Sequence, residues 1–380
     1  MIFFIVFIAI FIPYIAPPEK KLAALYISLL LLFIPWGLQY EMTQDWEPHL
    51  IHWNVVNNGA SLIYESKELE PVYVFWLELL SPFTYFGYLM ICAILELSII
   101  GYCIKKFVNP DYYWVSIAVL MLCVQNGLLM INSNRMTMAL MLIIVGVLFL
   151  FKNDGYESFE DIDEKGIKWN RLLLFLVMIF IAINIHSGAI AAAGLLLIYI
   201  ASKKLVYLNT FGWIAAMNVI FMLRFFVDVS SLQLFGLMYL ESFGVEDFEE
   251  YIDEIENAEN VSKVYTPILF VFLNVILLTF HKMTSVMKFF ALAFIIHIQF
   301  TTYMIGAIGR VLQYYYIYSI FLVPYLVSLT KTYEWEIVRK VCCVLFFLLI
   351  VYDFIKYVTT DFCYERWTDF HTIFEAPYWM

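Results

Sequence analysis

Charge is scarce in this chain. Of 380 residues only 14% are Asp, Glu, Lys or Arg, against 63% hydrophobic, and mean hydropathy is +0.82. A soluble globular protein of this length has no use for so much apolar surface, so that class is excluded. Ten-residue stretches of alternating hydrophobicity are missing, which excludes a water-filled transmembrane barrel. Walker loop, Rossmann glycine pattern and HExxH are all missing. Aspartates spaced as D-x-D occur only at Asp161 and Asp163. The opening run, Met1 to Ala16, has no basic n-region and no small-residue cleavage site, and Pro17-Pro18 follows it directly. It reads as a retained first span rather than a signal peptide. The six cysteines (Cys92, Cys103, Cys123, Cys342, Cys343, Cys363) show no metal-ligand spacing and lie mostly inside apolar runs, as small buried hydrophobes do. No internal repeat, low-complexity tract or separate soluble domain is visible.

What is present is a succession of apolar, helix-length segments. They fall at about 2–17, 22–38, 83–104, 112–131, 136–151, 171–185, 188–202, 208–226, 265–280, 289–307, 311–329 and 340–356. Each is near the length that crosses about 30 Å of hydrocarbon. The expected fold is therefore all-α: a polytopic helical membrane protein of about 12 transmembrane helices, in one integral membrane domain over 1–380. A kink within 171–202 and an interfacial dip at 70–81 are allowed for.

Lys and Arg set the expected orientation. One set of loops holds Lys20, Lys21, Lys105, Lys106, Lys152, Lys165, Lys168, Arg171, Lys203, Lys204, Lys282, Lys288, Lys331, Arg339 and Lys340, 15 of the 22 basic residues. Those loops are expected in the cytoplasm, with both termini outside. The outer side then carries a loop at 39–82 with an interfacial helix. It also carries an acidic loop at 227–264, with ten acids against one lysine. Within that loop Val245, Phe248, Ile252 and Ile255 recur at the spacing of a short amphipathic helix.

Asp45, Glu70, Arg135, His186 and Arg310 all fall at segment ends on this outer side. Polar groups at the rim of a bilayer-embedded bundle are costly, and gathering them at one face points to a site. An arginine at a helix end commonly snorkels to headgroup phosphates. Two at the same rim suit bidentate capture of phosphate oxygens, such as those of a lipid diphosphate. Asn132 and Asn134 flank Arg135 and fit either helix capping or contact with a ligand. Asn184, His186 and Ser187 make a polar knot in an apolar region, with His186 as base, donor or phosphate ligand. Pro71 restricts Glu70 to an extended backbone and starts a helix, which fixes the direction of that carboxylate. His297 and Gln299 lie deeper, where helix–helix hydrogen bonding is the expected role. The lone D-x-D lies in a cytoplasmic loop, so an outer site is expected to work without metal or other cofactor. Nucleotide sugars are absent there, so a transferase on that face must take lipid-linked donors.

The same positions carry a family pattern. Gly37-Leu-Gln-Tyr40 with Asp45, Glu70-Pro-Val-Tyr73, Asn132-Ser-Asn-Arg135 with Ala139, His186-Ser-Gly-Ala189, and Arg310 with Tyr314-Tyr315 occur in order at helix boundaries. In these pieces the chain resembles the EpsG family of Wzy-type polysaccharide polymerases, from Met1 through about Leu329. It departs from the pattern at Gln39, where the family often has arginine, at Glu41 for a usual glycine, and at Met136 for a common glutamine.

The resemblance implies a GT-C-like polymerase bundle in the bacterial cytoplasmic membrane, joining oligosaccharide repeat units carried on undecaprenyl diphosphate for exopolysaccharide, capsule or O-antigen. Membrane lipid, a chain-length regulator and a flippase are the implied partners, and nucleic acid is not. Arg135 and Arg310, with Asn132, Asn134 and Tyr314, would hold the diphosphate. Asp45, Glu70 or His186 would take the proton of the attacking hydroxyl, and Trp46, Trp53 and Tyr73 are placed to stack on sugar rings. A glycan ligase using the same donor, a lipid-oligosaccharide flippase and a non-catalytic scaffold are the competing readings.

Overall fold

The computed structural model describes residues 2–40, 46–58, 69–123, 126–152, 154–155, 167–204, 210–223, 268–300, 312–329 and 336–359. Its regular elements are helices, as an all-α chain requires. Two of them, Pro18–Gly37 and Tyr85–Phe107, are long and apolar enough to cross a membrane. Eight more apolar helices of 10–17 residues accompany them among the described residues. Many large apolar side chains point away from the bundle: Leu30 is 69% exposed, Phe180 68% and Leu197 71%. Bare apolar surface on this scale is consistent with a helical membrane protein.

Several expected spans are shorter than the apolar pattern implies, because the chain breaks its helices from within. The run 112–131 is two helices, α6 (Tyr113–Leu122) and α7 (Gly127–Asn132), and α8 (Asn134–Leu150) begins after one further residue. Asn126 holds the first break: its amide donates to Val119 O at 3.2 Å and to Ser319 Oγ at 3.2 Å. The second break is at Ser133 (φ −107°, ψ 70°), whose carbonyl accepts from Thr137 Oγ1 at 3.0 Å. The run 188–202 opens as a 3₁₀ turn, Ser187–Ala193, before α10 (Gly194–Lys204). Non-helical backbone at membrane depth survives only where protein or water satisfies it. Asn126 and Ser133 are accordingly 1% and 7% exposed.

Glycine is required at the first break. A Cβ on Gly127 would meet the Leu120 carbonyl oxygen at 2.5 Å, and a main-chain atom cannot swing aside as a side chain does. Gly127→Ala is therefore expected to destabilise the protein by about 1–3 kcal/mol. Gly212→Ala, where nothing lies within 4 Å of the added carbon, serves as the control and should be neutral or slightly stabilising. Thermal unfolding in detergent reads both, and equal Tm values for the two variants would remove the close-approach argument.

The bundle is assembled from helix pairs both near and far apart in the chain. Helix α1 (Ile2–Ile15) packs on α2 (Lys21–Gly37), α2 on α5 (Tyr85–Phe107), α5 on α8, and α8 on α9 (Trp169–Ile183). Helix Ser319–Leu329 closes on α6, and Ser285–Phe300 on α10. Lys21 is buried because its ammonium donates to Pro13 O at 2.8 Å and Tyr14 O at 3.3 Å, satisfying the carbonyl end of α1. Lys106 does the same across helices, donating to Phe151 O at 2.7 Å and Lys152 O at 3.1 Å where α8 ends.

Several polar side chains inside the bundle are paired between helices. Asn218 and Asn274 exchange amide hydrogen bonds of 2.8 and 3.0 Å. Gln299 donates to Met217 O at 3.0 Å, and His297 packs its ring 4.4 Å from that of Tyr316. Glu96, in the middle of α5, accepts from Trp36 Nε1 at 2.7 Å and is 4% exposed. Two short helices, α3 (Trp46–Asn58) and α4 (Pro71–Leu79), pack on each other at the end of the bundle where α2 stops and α5 starts. They occupy the stretch 39–82 expected to be an outer loop. The acidic stretch 227–264 lies outside the described residues.

Candidate functional site

The site begins with the helix that Pro71 opens. Glu70 is extended (φ −64°, ψ 136°) and sits at the N-cap of α4, yet its side chain caps nothing there. The first amides of α4 are taken instead by a main-chain carbonyl from the end of α9: Val72 N and Tyr73 N donate to Asn184 O at 3.0 and 3.3 Å. The Glu70 carboxylate is thereby free for other partners. Its Oε2 accepts from Arg135 Nη1 at 2.9 Å, and its Oε1 from the Ser187 backbone amide at 3.1 Å. One carboxylate thus joins the head of α8 to the turn after α9.

Arg135 reaches this partner because the break at Ser133 ends α7 and starts α8, placing the arginine on the first turn. Its guanidinium lies over the Tyr73 ring, 5.6 Å from the centroid. Aromatic face and carboxylate together fix the fork's plane. The Arg135 and Glu70 side chains keep 27% and 19% exposure, so the pair is open to a ligand on one side.

His186 ends the turn after α9 in an extended conformation (φ −150°, ψ 113°). Its Nδ1 lies 3.4 Å from the hydroxyl of Tyr314, a buried residue of helix Gln313–Tyr316. Tyr314 is close enough to Arg135 and Glu70 to feel both charges. The next residue, Tyr315, donates to Ala191 O at 2.6 Å, and its hydroxyl occupies the space that a side chain on Gly194 would need. Glycine at 194 therefore lets that helix approach the 3₁₀ turn.

Four residues singled out in the sequence, Glu70, Arg135, His186 and Tyr314, thus stand together. Asn134 is adjacent in sequence but turns inward, 8% exposed, toward Cys92 of α5. Asn132 ends α7, and nothing is described of its side chain. Asp45 and Arg310 lie outside the described residues.

The aromatic residues expected to stack on sugars need correction. Trp46, Trp53 and Tyr73 are 4%, 5% and 0% exposed. Trp46 packs on Tyr85 with centroids 5.5 Å apart, and Trp53 on Tyr88 at 5.3 Å. They anchor α3 to α5, and no sugar reaches their faces. Tyr73 touches the site only through Arg135.

Two residues at the site went unread in the sequence. His49 and His52 lie one turn apart on α3 and face inward with Trp46 and Trp53. The His52 ring is 6.0 Å from that of Tyr73 and 6.1 Å from that of His49. Burial pushes the His49 imidazole down to about 3, aided by the nearby His52, Arg135 and His186. The available signal was the spacing Trp46-His49-Trp53, which puts a histidine on the buried stripe of a short helix.

Comparison with known proteins adds one finding at this point. Over residues 22–160 the chain matches the EpsG family. The resemblance read from the motifs holds over that stretch, which contains Glu70, Arg135 and the histidines of α3. His186 and Tyr314 lie beyond the matched segment and join the site through space alone. No curated protein and no solved structure matches the chain. The EpsG match suggests exopolysaccharide synthesis, and with the apolar helices it suggests a membrane setting.

Proposed function

We propose that the protein is a polysaccharide polymerase that joins oligosaccharide repeat units carried on undecaprenyl diphosphate, at the outer face of the bacterial cytoplasmic membrane. The observation that carries this reading is the convergence of Arg135, Glu70, His186 and Tyr314 from four separated segments onto one end of an apolar bundle. The EpsG match supports it. The bundle crosses the membrane repeatedly with the lysine-rich loops inside, so this end faces out.

The chemistry divides among the residues. Arg135 is a planar donor already aimed by Glu70 and Tyr73, and it takes the diphosphate oxygens on its open side. Arg310 is the second donor. As the bond from the sugar's anomeric carbon to phosphate breaks, charge grows on the leaving diphosphate, where a preset guanidinium stabilises it without reorganisation. Both Glu70 oxygens are engaged, so in this arrangement Glu70 positions Arg135 and does not serve as the base. The proton of the attacking hydroxyl then falls to an imidazole. His186, half-buried beside the Tyr314 hydroxyl, is the base the sequence pattern supplies. Asp45 is a further carboxylate for the acceptor.

Purified protein should lengthen lipid-linked repeat units, isolated from cells lacking it, without nucleotide sugar or added metal. A ladder of glycans differing by one repeat is the expected product. Transfer of finished glycan to a new acceptor without lengthening would make the protein a ligase instead.

A further inference from the structure

Basic side chains gather where α8 ends. Arg171 donates to Leu150 O at 3.4 Å, Lys106 to Phe151 O and Lys152 O, and Lys203 pairs with Asp154 at 3.8 Å. Helix α8 runs 17 residues, so this end stands about 25 Å from the Arg135 site. An open cavity of about 470 Å³ lies there, a size typical of small-ligand sites. Its walls come from α2 (Leu22), α5 (Tyr102, Lys105, Lys106), the first residue of α6 (Tyr113) and the chain beyond α8 (Gly155).

Two of these residues are cations, and among the described residues no Asp or Glu lines the cavity. Asp154, next to Gly155, is already held by Lys203. Lysines in the last turn of a helix ordinarily answer that helix's own carbonyl end. Lys106 reaches across to α8 instead, spending two of its three donors on carbonyls at 2.7 and 3.1 Å. Its ammonium is thereby fixed at the cavity wall with one donor over. Lys105 beside it is exposed. Neighbouring positive charges with no acid between them attract an anion.

The other walls say what that anion is attached to. Leu22 and Tyr102 are 37% and 56% exposed, on the apolar outer surface of α2 and α5. Tyr26 and Leu30, also exposed, continue that surface along α2 at helical spacing. Tyr14 and Trp114 meet edge to face at 5.4 Å, where α1 ends and α6 begins. Aromatic side chains of this kind sit at the level of lipid headgroups. The cavity therefore offers charge to a headgroup and apolar surface to its chains.

We propose that this cavity binds the phosphodiester of an anionic phospholipid, with Lys105 and Lys106 on the phosphate and acyl chains along Leu22, Tyr26 and Leu30. The site is separate from the glycan chemistry and rests only on the bundle lying in a membrane. The lipid's charge offsets the repulsion among the cations gathered there, so binding tightens the joint between α5 and α8.

The test uses the full chain in neutral detergent, reading lipid adducts by native mass spectrometry together with Tm. Phosphatidylglycerol should bind at least about 10-fold tighter than phosphatidylcholine of the same chains, which carries the same phosphate but no net charge. It should also raise Tm, whereas glycerol phosphate at equal concentration should not. Lys105→Gln should weaken phosphatidylglycerol binding about 5-fold, and Lys105→Gln/Lys106→Gln should erase the preference over phosphatidylcholine. Lys20→Gln, at an exposed lysine outside the cavity, should change neither. Equal binding of the two lipids by the wild type, or equal losses in Lys20→Gln and Lys105→Gln, would overturn the site. A Tm rise with glycerol phosphate as large as that with phosphatidylglycerol would overturn the lipid source and leave a site for a soluble phosphate.

Discussion

Replacing Arg135 with alanine is expected to abolish chain lengthening while leaving the protein folded. Removing one preset donor to a developing oxyanion costs about 10²–10³-fold in rate. Here the loss is compounded, because Glu70 remains behind with the Ser187 amide but no cation. Arg135→Lys separates charge from shape: the ammonium can meet Glu70 but cannot fork onto two phosphate oxygens or lie flat on Tyr73. It should recover Tm fully and activity only in small part. Measured against the lipid-linked substrate, an Arg135→Ala protein that polymerises at the wild-type rate would remove the diphosphate role.

The second large effect is expected at Glu70. In Glu70→Gln the amide oxygen can still accept from Ser187 N, but the amino group then confronts the Arg135 guanidinium, donor against donor. The arginine loses its aim, and turnover should fall about 10–100-fold, as misplacement of a positioned group by an ångström does. Folding should change little, since the pair is partly exposed and such pairs contribute about 1 kcal/mol or less. If Glu70 acts only through Arg135, the double variant Glu70→Gln/Arg135→Ala should be no slower than Arg135→Ala alone. Additive losses would instead assign Glu70 a contact of its own with substrate.

Much of this arrangement was legible in the chain, and the reasons are local. Pro71 dictates the backbone of Glu70 and the start of α4, and both follow from ring geometry alone. Arg135 at the head of a helix follows from the polar run that precedes it. Hydropathy hid the break within 112–131, because a residue keeps its apolarity whether its backbone is helical or not. Asn126-Gly127 was the punctuation there, overridden by the greasy residues around it, whereas Asn132-Ser133-Asn134 marks the boundary between the segments 112–131 and 136–151. Glu96 could have been noticed as a lone acid within an uncharged run, though not that Trp36 was waiting for it. The aromatic residues of α3 were misread for a related reason. Trp46 and Trp53 suit a sugar platform by type, and only packing against Tyr85 and Tyr88 shows which way they face. His49 and His52 carry no motif, and their meaning comes from neighbours distant in sequence.

The exchange of caps at α4 has a consequence for how such a site can change over generations. The helix is seated by the Asn184 carbonyl, a group every amino acid carries, so no side-chain substitution short of proline at 72 or 73 deletes that contact. Position 70 is left with no duty to its own helix. A lineage can therefore trial different acids, amides or neutral residues there, retuning its grip on the arginine, while the scaffold keeps its register.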